Sequence, residues 1–349
     1  MTKRKFFQLF LDNVIWILLV LVVLFFSSLT PRYLTIMNFK NILVHASVLG
    51  ILVVGQSFPL ITGNFDLTME STLGITAMFG AWLITASEPP AFGSGLELSP
   101  FVGIAAMFVL AIIIGWINGF FITRVKINNF IATLSMLIIL RGLILVITEG
   151  NTISTMPDAF NALGYQEVFG GIPMSVIVMV LCFFFAAIVF GYTGFGRSLY
   201  AVGGSPTAAL ATGIDPDKKV RQAYLISSCM GALAGLVLVG RLKAFPANLG
   251  QNMNFEMFAA AVIGGISLQG GRGTMVGAFG GVLLLSAVDS GLNLLRVNSF
   301  WIDTIRGLII LLAMFIDAQK LRLKTPRTIS KIHTKKLNTM KRDGGRDHE

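Results

Sequence analysis

The chain has 349 residues, of which 54% are hydrophobic and 13% charged, where a soluble domain carries about 25% charged residues. With a mean hydropathy of +0.78, this composition excludes an ordinary soluble enzyme and indicates an integral membrane protein. The net charge of +10 does not argue for nucleic acid, because ten of the 27 Lys and Arg residues lie beyond residue 319, in a polar tail.

Ten apolar segments are long enough, or nearly so, to cross a hydrocarbon core, which takes about 20 helical residues. They run over 12–30, 42–62, 67–87, 100–122, 129–148, 172–193, 222–242, 256–269, 275–295 and 300–317, the eighth being short. Long apolar runs without alternation read as helices, not barrel strands. The first follows Lys3, Arg4 and Lys5 like a signal peptide but has no small-residue cleavage site, so it is read as a span. The expected organisation is a cytoplasmic N-terminus over 1–11, a transmembrane domain over 12–317 and a basic cytoplasmic tail over 318–349. Arg124, Lys126, Arg197, Lys218, Lys219, Arg221 and Arg272 fall in alternate loops, whereas 88–99 and 149–171 contain no Lys or Arg. The positive-inside rule then places both termini in the cytoplasm. Cys182 and Cys229 lie in spans and suggest no disulfide, and His45 is the one histidine in a span.

Between the second and third spans, Thr62-Gly-Asn-Phe-Asp-Leu-Thr-Met-Glu-Ser71 brings in two carboxylates, Asp66 and Glu70, with no Lys or Arg between Lys40 and Arg124. Read as one helix, the two acids share a face and repel. Glu70 or Asp66 is then protonated, meets a cation such as Arg, or meets an inserted water. Asn64-Phe-Asp-Leu, with Gly74 ten residues on, is echoed by Asn254-Phe-Glu-Met with Gly264, and Arg141-Gly-Leu-Ile by Arg306-Gly-Leu-Ile. Each pair is five spans apart, so the copies have opposite orientation, the signature of an inverted repeat. Gly115 and Gly119, Gly231 and Gly235, and Gly273, Gly277 and Gly281 are small residues four apart that let helices of one bundle approach closely.

The interior segment 194–221 holds a short helix over 207–212, with Ser205 as its cap, Pro206 at its first position and Gly213 as its left-handed stop. Gly264-Gly-Ile-Ser-Leu-Gln-Gly-Gly-Arg-Gly-Thr274 superficially resembles a phosphate loop but lacks the Gly-Lys-Ser/Thr ending, and reads as a tight turn. No zinc-type His/Cys set and no nucleophile elbow is present, which leaves a membrane enzyme or scaffold without support.

These motifs together carry a resemblance. Asn64 to Ser71, Asn118-Gly119, Lys126 to Leu134, Arg141-Gly142, Phe195-Gly-Arg197, Tyr200 to Gly204, Ala208-Ala209, Gly213-Ile214, Phe255-Glu256, Ala259 to Gly265 and Gly270 to Thr274 occur in order. Over about residues 40 to 317 the chain resembles the membrane permease subunits of the ribose, xylose, arabinose, galactose and autoinducer-2 type of ATP-binding-cassette importer, within the branched-chain-amino-acid/sugar permease superfamily. The resemblance implies an all-α integral membrane fold of about ten helices, like the vitamin-B12 permease. It implies import of a monosaccharide or related polyol-like solute across a bacterial inner membrane, and no enzymatic activity on this chain. The implied partners are a cytoplasmic ATPase carrying ATP and Mg, an extracytoplasmic solute-binding protein, lipid, and a second permease copy, identical or related. By the same resemblance Asn64, Asp66, Thr68, Glu70 and Asn118 line or brace the pathway. Ser205, Ala208, Ala209, Gly213, Ile214 and Asp215 dock on the ATPase. The sequence departs from the family pattern at Asn64, Met69, Glu70, Asn128, Asn129 and Ser205, which leaves the solute unnamed. The competing reading is a proton- or ion-coupled secondary transporter with Asp66 and Glu70 as its relay.

Overall fold

In the computed structural model the described residues are 14–168, 170–298 and, beyond them, 301, 302, 304, 305, 307, 308 and 311. The chain divides into units 1–310 and 311–349, and the fold concerns the first. The expected N-terminal segment 1–11, the tail 318–349, most of the tenth span, and Arg306 and Ile309 of the second echo lie outside the described residues.

Twelve α-helices are seen among the described residues. They are α1 Val14–Leu29, α2 Ile36–Ile61, α3 Met69–Ile84, α4 Pro100–Thr123, α5 Asn129–Thr148, α6 Asp158–Tyr165, α7 Met174–Tyr192, α8 Gly194–Gly204, α9 Pro206–Ala211, α10 Pro216–Leu242, α11 Met253–Ile263 and α12 Met275–Leu294. A two-residue hairpin pairs Glu167–Val168 with Ile172–Pro173. Six helices, α2, α4, α5, α7, α10 and α12, are long and apolar enough to cross a membrane.

Every expected span up to the ninth coincides with a helix, the fifth with the same ends and the others with changed ones. The seventh begins at Pro216 rather than 222, because Asp215 accepts from the Lys218 amide and Pro216 sits in the first turn. The stretch 216–221 is thus helix, not the end of an interior loop. Hydropathy marks the apolar slab, while capping marks where a helix starts. The second span likewise starts at Ile36 instead of 42, capped by Thr35. The eighth stops at Ile263 because Gly265 takes φ 88°.

Helix α2 is the hub, with 83% of its apolar window buried against 17% for α5. Around it pack α10, α12, α7 and α11. Close approach is made by small residues. A Cβ on Gly115 would lie 2.8 Å from the Tyr224 carbonyl, one on Gly235 2.6 Å from the Leu73 carbonyl, and one on Gly281 2.1 Å from the Ala260 carbonyl. These glycines therefore serve packing within the chain. Gly273 is the exception, since it precedes α12 at φ 140°.

The glycine-rich segment 264–274 is a tight turn, as its composition suggests. Gly271 N donates to Ile61 O at 2.8 Å, Tyr200 Oη donates to Gly273 O at 2.7 Å, and Gly203 packs so closely that a Cβ there would lie 1.8 Å from Ile61 O. These contacts tie α8 and the 264–274 turn to the end of α2, at the face where Lys126 also pairs with Asp217. On the opposite face Ile153 bridges Phe245 and Tyr33 Oη donates to Ala287 O.

Candidate translocation site

Helices α3 and α11 span about 24 and 16 Å at 1.5 Å per residue, short of a full crossing. Each is preceded by an irregular stretch, 62–68 and 243–252, and the N-terminal ends of the two helices meet. Asn254 Nδ2 donates to Leu67 O at 2.7 Å, and Asn254 N donates to Glu70 Oε2 at 3.3 Å. The two copies of the Asn-Phe-acid echo are therefore in contact.

Asp66 is fully buried and precedes the helix, so the expected i,i+4 repulsion from Glu70 on one helix does not arise. Its Oδ1 accepts from Thr68 N at 3.0 Å and from the Thr68 hydroxyl, and its Oδ2 accepts from Ser227 Oγ at 2.7 Å. Asn118 Nδ2 donates to Thr68 Oγ1 at 3.0 Å. The Gln56 amide, oriented to satisfy both its ends, donates to Asp66 O at 3.0 Å and accepts from Asp66 N at 3.2 Å. Tyr224 Oη donates to Phe65 O at 2.6 Å. Three hydrogen bonds on one buried carboxylate offset much of its desolvation. Asp66, Thr68 and Asn118 thus form one sealed polar junction, and Asn64 lies at its edge, accepting from Asn129 Nδ2 at 3.2 Å.

Glu70 faces elsewhere. Arg141 Nη2 lies 3.4 Å from Glu70 Oε1, with side-chain exposures of 17% and 9%, and Arg141 Nη1 donates to Leu249 O at 2.8 Å. Both residues line a cavity of ≈ 540 Å³, together with Asn254, Gln251, Phe130 and Phe258. Arg141 Nε and Asn254 Oδ1 are buried there without a hydrogen-bond partner. The cavity therefore places a guanidinium and two side-chain amides, from Arg141, Asn254 and Gln251, beside aromatic rings, the chemistry that holds a polyhydroxylated solute.

Arg141 and Asn254 were not among the expected pathway residues, and neither were Ser227 and Tyr224 in the junction. The signal for Arg141 was available, since it is the sole charged residue of α5. Ser227 and Tyr224 carry no such mark, being ordinary in an apolar helix.

The segment expected to dock a partner forms as read. Ser205 Oγ accepts from Ala208 N at 3.3 Å, Pro206 starts α9, and Gly213 has φ 84°. Ala208 is exposed and Leu210 is 62% exposed, whereas Ala209 packs with Val202, Val220, Tyr224 and Ile214. Asp215 caps α10, and the Lys218 amide holds its carboxyl below the ordinary range.

The family model for the branched-chain amino acid transport system / permease component matches residues 38–314. The ribose import permease of Bacillus subtilis (strain 168) is 35% identical over 315 residues, covering 86% of this chain and 91% of that protein. The ribose import permease of Escherichia coli (strain K12) is 33% identical over 308 residues, 87% and 92% of the two chains. The L-arabinose transport system permease of the same strain is 31% identical over 309 residues, 88% and 91%. No solved structure matches. The length of these matches and the apolar helices beneath them make the chain a multi-pass membrane protein of the branched-chain amino acid transport system / permease component family.

Proposed function

We propose that this chain is the permease subunit of an ATP-driven importer for a monosaccharide or related polyol-like solute, which passes along the cavity between α3, α5 and α11. The observation that carries this reading is the placing of Arg141, Asn254 and Gln251 with Phe130 and Phe258 around one cavity. Hydroxyl groups accept from the guanidinium and donate to the amide oxygen, and sugar C–H faces lie on rings. The names of the similar ribose and arabinose permeases support the solute class.

In this reading the membrane domain has about ten spans in a vitamin-B12-permease-like inverted repeat, both termini are cytoplasmic, and a second permease copy completes the pathway. The meeting of the two echoes at the ends of short helices supports the repeat, since discontinuous helices at a repeat interface are where transporters place their sites. The ATPase, with its ATP and Mg, is a separate chain that grips α9 and the Gly213-Ile214-Asp215 stop. A contiguous route is available for the motion: Ala209 packs on Tyr224, whose hydroxyl holds the Phe65 carbonyl next to Asp66. ATP drives transport by favouring one arrangement of this route over the other. Asn64, Asp66, Thr68 and Asn118 act as the brace that transmits it, and Glu70 faces the solute.

The test is purification of the tagged full chain in mild detergent from its native host, with mass spectrometry of what accompanies it. A cassette ATPase with a solute-binding protein is the expected result. Repeated recovery of the chain alone, in a preparation that still transports, overturns the coupling role of residues 205–215.

A further inference from the structure

The acid of the second echo stands in surroundings unlike those of the first. Asp66 is enclosed by neutral hydroxyls and amides, from Ser227 on α10 and, through Thr68, from Asn118 on α4. Glu256 is instead grouped with His45 of α2 and Asp289 of α12, with one ligand atom of each within 4.8 Å of the others. His45 and Asp289 line a cavity of ≈ 270 Å³ whose wall is otherwise largely polar, with Asn41, Ser286, Ser290 and Arg241. The first junction holds a single acid among neutral groups, while its counterpart brings three ionisable side chains together, two of them bordering a cavity.

We propose that this cavity binds a divalent cation of the zinc class, held by an imidazole nitrogen of His45 and the carboxylates of Glu256 and Asp289. Imidazole with carboxylates is a borderline donor set that suits zinc better than magnesium or calcium, and three protein ligands leave a position for water. Two carboxylates balance the ion's charge, and Arg241, an exposed residue, also lines the cavity. An independent observation also points to a ligand. Ser286 is 1% exposed and lines the cavity, and its Oγ has no hydrogen-bond partner. A metal-bound water is the group that would satisfy it. The walls are held in place by Ser290 Oγ donating to Asn38 Oδ1 at 2.6 Å and Asn38 Nδ2 donating to Tyr33 O at 2.8 Å. Spacing along the chain does not reveal the set, because its members stand at 45, 256 and 289 on three helices.

Zinc counting on the purified full chain tests the proposal without any transport assay. His333→Ala, His348→Ala, Cys182→Ser and Cys229→Ser with a histidine-free tag leave His45 as the only imidazole and remove both thiols. This parent, placed in nanodiscs and stripped with chelator, is dialysed against Zn²⁺ and its metal measured by plasma emission. The expected result is about one zinc per chain, with affinity reduced at least about tenfold in His45→Gln and in Asp289→Asn. Both replacements are close in size to the original, and an unchanged size-exclusion profile shows that the fold survives. A parent that takes up no zinc, or variants that bind it as well as the parent does, overturns the site.

Discussion

Two carboxylates four residues apart have different physical tasks, and their variants should differ accordingly. Asp66 accepts three hydrogen bonds inside a sealed junction, so Ser227→Ala removes one bond to a charged group, about 1.5–3 kcal/mol. The expected outcome is a lower midpoint of thermal unfolding in detergent, read by fluorescence of the purified chain, with no change in solute preference. Glu70 is held by Arg141, and Arg141→Met strands a buried carboxylate at a cost of about 3–5 kcal/mol. Adding Glu70→Gln to Arg141→Met should return most of that stability, because it removes the stranded charge. Uptake should stay low in the double variant, since the cavity has lost its guanidinium donor. If the double variant is no more stable than the single one, the pairing contributes nothing and Glu70 has another partner.

At the scale of elements, two glycines near α9 separate steric need from conformational need. A Cβ on Gly203 would lie 1.8 Å from Ile61 O, whereas nothing lies within 4 Å of one on Gly213. Gly203→Ala should therefore leave little assembled protein in the membrane. Gly213→Ala should assemble normally with strain of about 1–2 kcal/mol from its φ of 84°, and lose uptake through a displaced stop. Immunoblot of membranes beside uptake distinguishes the two. Asp215 adds a pH statement. Its carboxyl is lowered in the folded chain by the Lys218 amide, so its capping contribution is complete above the unfolded value of about 3.9 and lost as pH falls through the folded one. The effect of Asp215→Ala on thermal stability should thus be the same at pH 6 and pH 8. Much of this level is legible in the sequence: Ser205, Pro206 and Gly213 announce α9, and the glycines of 264–274 announce a turn. The helices α6 and α8 are not legible from hydropathy, because they are too short to cross and are held by caps and contacts such as Thr193 to Gly196 N. The junction around Asp66 is half legible, since the acid stands out in an apolar region while Ser227 and Tyr224, its partners from α10, do not.

At the scale of the whole molecule, the arrangement of loops and the pathway cavity make a joint prediction about access. Lys126 pairs with Asp217 at the start of α10, and the segments 149–157 and 243–247 meet through the Ile153–Phe245 bridge past its other end. Asn248 and Gln251 line the cavity from the loop just beyond that bridge, and Glu70 and Arg141 lie deeper in it. If transport alternates access as proposed, Asn248→Cys and Gln251→Cys, each in a Cys182→Ser, Cys229→Ser background, should react with a membrane-impermeant thiol reagent added outside cells. Excess cargo should slow that reaction, because a bound solute covers the cavity wall. Trapping the proposed partner ATPase in its ATP-bound state should change the rate without added cargo, since the proposed coupling runs from α9 to the junction whether or not a solute is present. Cysteines placed at Ser205 and Ala208 should be silent from outside and labelled only in opened membranes. Labelling of Ala208→Cys from outside would reverse the orientation drawn from charge, and the docking face assigned to α9 would then be on the wrong side of the membrane for any cytoplasmic ATPase.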